Sequence, residues 1–297
     1  MSYDRPYEGI KVVDLSQGIA GPYCGMLLAQ HGADVIKVEP LQGDWARVLG
    51  TPTSDHTEFS YLGSLGKRSL AIDLKSPEAP AIIDSLVAEA DVFMEGFRPG
   101  VIDRLGFGHE RLMQMNPNLI YLSISGFGQT GPMRNKPAMD PVLQAFTGFM
   151  MDNKGNDGIP HRSNTIINDM STALYAFSAV APALHAQKND EGGRYLDVSL
   201  MRAAANFTGI RITTASNREL QRAGAPPSGI HATGDGWLQL VIIKDSDFHL
   251  VCELMGLDDL IGDASLSGLP ADDEDGEIAN GTRSDESPTK PRKPSRG

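Results

Sequence analysis

Apolar and polar positions follow two alternating periods along the first two thirds of the chain. Short β-branched runs at 10–15 (Ile-Lys-Val-Val-Asp-Leu), 34–38 (Asp-Val-Ile-Lys-Val), 69–74, 91–94, 119–125 and 195–198 predict strands. Between them, apolar residues recurring every three or four positions predict helices. One opens at Pro22 and runs to Gly32, and others cover 77–89, 140–151 and 199–206. A longer helix over 170–187 is almost wholly apolar or small (Ala173, Leu174, Ala176, Phe177, Val180, Leu184), which predicts burial. Strand, helix and strand between residues 10 and 38 make the βαβ unit of a parallel sheet. Its repetition predicts an α/β fold, a Rossmann-like doubly wound parallel sheet whose ligands bind beyond the carboxyl ends of the strands.

Past residue 222 the pattern changes. Residues 223–229 form a turn-rich connector, and Asp235-Gly236 ahead of 237–243 (Trp-Leu-Gln-Leu-Val-Ile-Ile) is a hairpin signature, followed by a helix over 249–255. From about residue 266 an acidic block (Asp272, Asp273, Glu274, Asp275, Glu277) precedes Lys290, Arg292, Lys293 and Arg296 with hardly an apolar residue, a composition that predicts disorder. The expected organisation is a Rossmann-like domain over 1–222, the start of a smaller domain over 223–265, and a disordered tail over 266–297.

Composition narrows the classes of function. With 297 residues, 40% of them hydrophobic, the chain can bury a sizeable core. A net charge of -12 argues against nucleic acid or an anionic membrane as partner. The residues at the N-terminus, Met-Ser-Tyr-Asp-Arg-Pro, lack a signal-peptide pattern, and no apolar run reaches the roughly 20 residues of a membrane span. Cys24 and Cys252 lack metal-ligand spacing, as do the seven histidines, so reduced thiols, a cytoplasmic protein and no metal site are expected.

Three stretches carry candidate chemistry. Gly126-Phe127-Gly128-Gln129-Thr130-Gly131 matches G-x-G-x-x-G. Pro132, Arg134, Asn135, Lys136 and Pro137 follow where a dinucleotide cradle would open a helix, so a mobile loop covering a site is expected instead. Gly66-Lys67-Arg68-Ser69 looks like the end of a P-loop, but Tyr61 stands where its first glycine belongs. Thr165-Ile166-Ile167-Asn168-Asp169 sets a carboxylate where a β-branched run stops and the apolar helix starts. Two roles are open to Asp169. It can cap the helix, or it can act as a nucleophile that carries an acyl group, with the positive helix end holding it ionised in either role. Asp140 is expected to cap the helix it precedes.

Val13-Asp14-Leu15, Ala20-Gly21-Pro22, Gly32-Ala33-Asp34-Val35-Ile36-Lys37-Val38-Glu39 and Lys67-Arg68-Ser69-Leu70-Ala71-Ile72-Asp73-Leu74-Lys75 form an ordered set. Phe97-Arg98-Pro99-Gly100, Asp103-Arg104-Leu105-Gly106, Ser125-Gly126-Phe127-Gly128 and Gly193-Arg194 with Asp197-Val198-Ser199-Leu200 continue it. Together they resemble the family III CoA-transferases, the group of formyl-CoA transferase and carnitine CoA-transferase, from about residue 8 to about 265. The resemblance implies a Rossmann-like CoA-binding and catalytic domain joined to a small one, with two chains threaded as an interlocked homodimer. It makes Asp169 the nucleophile, passing through an acyl-aspartyl anhydride and an aspartyl-CoA thioester, with no permanently bound cofactor and with coenzyme A entering as an acyl-CoA substrate.

By the same resemblance Gln17, Gly18, Ile19 and Ala20 would form the CoA pocket at the first strand end, Ile72 and Lys75 would lie near the adenine, and Phe97, Arg98 and Arg104 would follow the fourth strand. Cations there suit phosphates. Ile166, Met139, Phe149 and Met150 are candidates for an apolar acyl pocket or for core. Two departures stand out. Gly96 replaces an asparagine that contacts CoA in formyl-CoA transferase, and family-like sequence is expected to stop near Ala264, as if the chain were C-terminally truncated. The alternatives are an α-methylacyl-CoA racemase-like isomerase, disfavoured because Met139 stands where that group has its proton-transferring histidine, and a non-catalytic CoA-binding fragment.

Overall fold

Strands of valine and isoleucine form where both faces of the sheet are covered, and helices form where small or periodic apolar residues can lie against it. The computed structural model describes residues 4–155, 158–189, 191–216 and 229–261, in one unit up to Ile212 and another from Thr213. The first unit contains β1 (Lys11–Asp14), α1 (Ala20–Gln30), β2 (Asp34–Glu39), β3 (Pro52–Thr53), β4 (His56–Thr57), α2 (Glu58–Ser64) and β5 (Arg68–Ala71). It continues with α3 (Ala79–Ala88), β6 (Val92–Glu95), α4 (Val101–Arg104), α5 (His109–Met115), β7 (Ile120–Ser125), α6 (Asp140–Phe146) and α7 (Phe149–Asp152). After these come α8 (Ile167–Lys188), β8 (Arg194–Ser199), α9 (Leu200–Phe207) and the start of α10 (Gly209–Ser216).

Six strands form one parallel sheet in the order β5-β2-β1-β6-β7-β8, with Val13 opposite Ile36 and Phe93, and Leu122 opposite Met94 and Leu196. This is the doubly wound Rossmann order that the alternation predicts. The strand order reverses between β1 and β6, and the crevice at that reversal is where such sheets take ligands. Alternate residues sort onto the two faces. Val12, Met94, Ile120 and Leu122 pack with Cys24 and Leu28 of α1 and with Ala173, Ala176 and Val180 of α8. Val13, Phe93 and Tyr121 pack with Ile83 of α3 and Leu112 of α5.

Local expectations fail at two places. The helix expected over 140–151 is two helices, because Gly148 takes φ 79, a left-handed conformation that ends α6 and starts α7. Asp169 is not a cap. It is the third residue of α8, which begins at Ile167, and the described residues 158–166 before that helix form no strand.

In the second unit β9 (Gly229–Ala232) and β10 (Trp237–Leu240) pair antiparallel, closed by the Thr233 amide donating to the Gly236 carbonyl at 2.9 Å. The helix expected from 249 starts earlier, as α11 (Asp245–Met255). The Asp247 carboxylate reaches back to accept from the Ile243 and Lys244 amides at 3.2 and 3.1 Å, and Phe248 and Cys252 pack on Ile242. Most of the 223–229 connector and the whole 266–297 tail lie outside the described residues. Among the described residues no helix is long and apolar enough to cross a membrane.

Candidate active site

The loop after β1 is held by buried charges. Lys67 Nζ meets Asp14 at 2.7 Å and donates to the Pro22 carbonyl at 2.7 Å, while Lys37 Nζ meets Asp44 at 2.8 Å and donates to the Ser16 carbonyl at 2.7 Å. Burial alone would raise Asp14, but the Lys67 and Lys37 ammonium groups outweigh it and hold the carboxyl below its usual range. Lys67 thus serves the interior, its side chain almost fully buried against Asp14. Asp44 also accepts the Gly18 amide at 2.9 Å. Gly18 has φ 82, and a Cβ there would stand 2.2 Å from the Trp45 ring, so backbone geometry dictates glycine. Glu39 is likewise clamped: burial would raise it, but Arg47, Ser69 and the Asp44 amide hold it at about 2.

These clamps leave a cavity of about 370 Å³ at the switch point. Gln17, Ile19 and Ala20 line it from the β1–α1 turn, Phe97 and Arg98 line it from the segment after β6, and Asp169 of α8 faces into it. A neighbouring cavity of about 380 Å³ shares Gln17 and Phe97 with the first and is lined by Ile72 and Lys75. Of the expected site residues, Gly18 and Arg104 line neither cavity. Gly18 acts through its backbone, and the Arg104 guanidinium lies 3.4 Å from where a Gly100 Cβ would be. Met139 lines the first cavity, whereas Ile166, Phe149 and Met150 do not. Gly96 lines it too, and a Cβ there would stand 3.4 Å from Ser16 Cβ, in ordinary contact with the β1–α1 turn.

The half-buried Asp169 carboxylate accepts no hydrogen bond among the described residues. Burial and the nearby Asp140 charge push it up to about 7. The expectation that the helix end holds this acid ionised is therefore overturned, because that end is already occupied. Asp140 Oδ2 accepts the Asn168 amide at 2.7 Å and the Asp169 amide at 3.4 Å, while Oδ1 accepts from Gln144 Nε2 at 2.5 Å. Asp140 does not cap its own helix: Met139 holds the N-cap position of α6 with no side-chain bond, and Asp140 caps α8 across the fold.

Next to the lining residues Gly96 and Phe97, Glu95 accepts the Phe97 amide at 2.8 Å and is bonded to the Ser123 hydroxyl, and burial pushes Glu95 up to about 7. Gln129 of the glycine loop donates to Ser123 Oγ at 2.7 Å, and its amide donates to Asp197 Oδ2 at 3.2 Å, so the loop is moored here. No helix follows its glycines until Asp140, as the prolines predict. Sequence reasoning missed Trp45, Arg134 and Lys136, all on the first cavity's wall. The only available signal for the two cations was a loop from Gly126 to Met139 that holds both and no acid.

The sequence pattern that defines CoA-transferase family III matches residues 7–281. The chain belongs to CoA-transferase family III. Family-like sequence therefore runs past the expected stop near Ala264. Among this member's relatives, the succinate–glutarate CoA-transferase of Agrobacterium fabrum is 34% identical over 91% of this chain and 68% of its own length. The acetyl-CoA:oxalate CoA-transferase of Acetobacter aceti is 34% identical over 87% and 69%. The human succinyl-CoA:glutarate CoA-transferase is 33% identical over 88% and 62%. This family III chain thus spans roughly two thirds of the length of these relatives. A CAIB/BAIF family protein from Brucella suis superposes with a TM-score of 0.76 at 30% identity, covering 88% of this chain and 72% of that one. The Mycobacterium tuberculosis protein Rv3272 does so with a TM-score of 0.78 at 30% identity, covering 88% and 72%.

Proposed function

We propose that this family III protein transfers CoA from an acyl-CoA donor to a small carboxylic acid through a covalent intermediate on Asp169. The supporting observation is a carboxylate with no hydrogen-bond partner among the described residues, facing a cavity at the sheet's switch point beside Gln17 and Arg98. Asp169 attacks the donor thioester carbonyl, forming an acyl-aspartyl anhydride and releasing CoA thiolate. The thiolate attacks the aspartyl carbonyl, which frees the donor acid and leaves an aspartyl-CoA thioester. The acceptor carboxylate displaces the thiolate to form a second anhydride, and the thiolate then attacks the acceptor's carbonyl, regenerating Asp169 and releasing the new acyl-CoA. Each step exchanges one acyl bond for another, so no net proton is consumed.

CoA would extend across both cavities, with its adenine near Ile72 and Lys75, its phosphates toward Arg98 and Arg104, and its thioester over Gln17, Gly18, Ile19 and Ala20, beside Phe97. CoA would come and go as substrate, with no cofactor held permanently. Residues 1–222 would bind and react, and 223–265 would begin the small domain of a cytoplasmic, interlocked homodimer. The relatives' names, which pair CoA esters with succinate, glutarate or oxalate, support a carboxylic acid acceptor. Incubation with an acyl-CoA followed by peptide mass spectrometry is expected to show acyl or CoA mass on the peptide containing Asp169, and none in Asp169→Asn. Tight acyl-CoA binding with an unmodified Asp169 would leave a CoA-binding protein without transfer.

A further inference from the structure

The first cavity has a sign opposite to that of the chain. The net charge is -12, yet the charged side chains described on this wall are the cations Arg98, Arg134 and Lys136 and the single acid Asp169. None of the three cations has a side-chain ion pair or hydrogen bond among the described residues. An exposed cation normally finds a neighbouring carboxylate or open solvent, whereas these three converge on one concave surface.

Arg98 belongs with the shared boundary of the two cavities, because it follows Phe97, which lines both, and a CoA phosphate accounts for it. Arg134 and Lys136 come from a different element. Their loop leaves the cavity wall at Gly126 and returns to it at Ala138, and a Cβ on Gly126 would stand 2.3 Å from that of Ala138, so the two ends touch. Tight turns bend the excursion, with the Arg134 amide donating to the Gly131 carbonyl at 3.4 Å and the Lys136 amide to the Met133 carbonyl at 2.8 Å. With the Gln129 mooring, this geometry puts two cations that have no side-chain partner among the described residues on the wall of the cavity that Asp169 also lines.

An acceptor's reacting carboxylate loses its charge when it becomes an anhydride and then a thioester, so it needs no standing cation. Two cations beyond Arg98 match a second carboxylate that stays charged throughout. We infer that Arg134 and Lys136 hold the far carboxylate of a short dicarboxylic acid, which makes these two residues the specificity determinants of the acceptor; this rests on Asp169 being the point of transfer. Arg134 supplies a planar fork suited to a carboxylate, and Lys136 adds a compact charge.

The test uses glutarate and valerate, acceptors of equal chain length that differ by one carboxylate, with the Arg134→Gln, Lys136→Gln double variant. The glutarate-to-valerate ratio of kcat/KM is expected to fall by roughly tenfold to a hundredfold, with the KM for the donor thioester retained. An unchanged ratio, or a rise in donor KM without loss of discrimination, overturns the inference and makes the pair a phosphate contact. A second readout needs no turnover: calorimetry with glutarate on the Asp169→Asn protein should show saturable binding that the two glutamine substitutions abolish, and absence of that binding also overturns it. Binding that depends on the cations, in a protein whose Asp169 never acquires an adduct, would sink the transfer chemistry alone and leave the dicarboxylate site standing.

Discussion

Asp169 and Asp140 meet at the start of α8 and differ there in their hydrogen bonding. Asp140 takes orphan amides of α8, and Asp169, in the first turn of that helix, has a carboxylate that accepts no hydrogen bond among the described residues, as the proposed nucleophile requires. Because burial and Asp140 push Asp169 up to about 7, its ionised form, the one the proposed attack needs, grows as pH rises toward that value. The rate of Asp169 adduct formation is expected to climb with pH and level off above about 7; a profile already flat from pH 5 would contradict the assignment. Linkage gives a second consequence. An acid with a folded pKa above its unfolded one binds a proton more tightly in the fold, so stability declines as pH rises between the two values, and the loss is complete above the folded value. Asp169→Asn should therefore raise Tm at about pH 8 and lose that advantage in acid, as read by thermal melts at both extremes. Removing Asp140 acts differently. Asp140→Ala strips a buried cap and is expected to cost about 1–2 kcal/mol in urea denaturation, and it should move the acid limb of adduct formation to lower pH because a neighbouring negative charge is gone.

The β1–α1 turn shows why an element's geometry can rest on residues far from it in sequence. Lys67, just before β5, neutralises Asp14 at the end of β1, and both are almost fully buried. Lys67→Met leaves that carboxylate unpaired in the interior and is expected to cost about 3–5 kcal/mol in denaturant titration, with Gln17 and Ala20 displaced and acyl-CoA binding weakened. A cost within about 0.5 kcal/mol would show that the pair does not hold the turn. At the other wall, the glycine loop is positioned by the Gly126–Ala138 contact and by the bonds of Gln129. These devices are tertiary, so the motif-level likeness of 126–131 to a dinucleotide fingerprint carried no information about what the loop does.

At the scale of the whole molecule, the sheet brings Gln17, Phe97 and Arg98 to one crevice because β1 and β6 are neighbours there despite the long stretch of chain between them. The same unit leaves Phe207 and Ile210 exposed at 55% and 82% around the α9–α10 junction, an apolar surface consistent with the proposed homodimer. Sedimentation equilibrium should return twice the chain mass, and Phe207→Glu with Ile210→Glu should shift it toward the monomer; a monomeric parent protein would remove the dimer from the proposal.

Strand and helix identity, the order of the βαβ units and the apolar helix that follows Asp169 were legible in the residues themselves, though not that Asp169 lies inside that helix. Alternation of Val12 and Val13, or of Ile120 and Tyr121, reports which face of a sheet each side chain meets, and that periodicity is local. The family motifs around Gln17, Phe97 and Arg98 were legible for a related reason: each is a short contiguous stretch at a strand end. What sequence could not convey was any relation formed across the fold. Asp140 reads as the first residue of its own helix, and only tertiary packing brings it to the start of another, where it caps the backbone and raises the acid beside it. Arg134 and Lys136 read as solvated loop charges until the return of the loop to Ala138 turns them onto the cavity wall. Hydrophobic periodicity is written in neighbouring residues, whereas electrostatics and cavity lining depend on distances between residues that the chain keeps far apart.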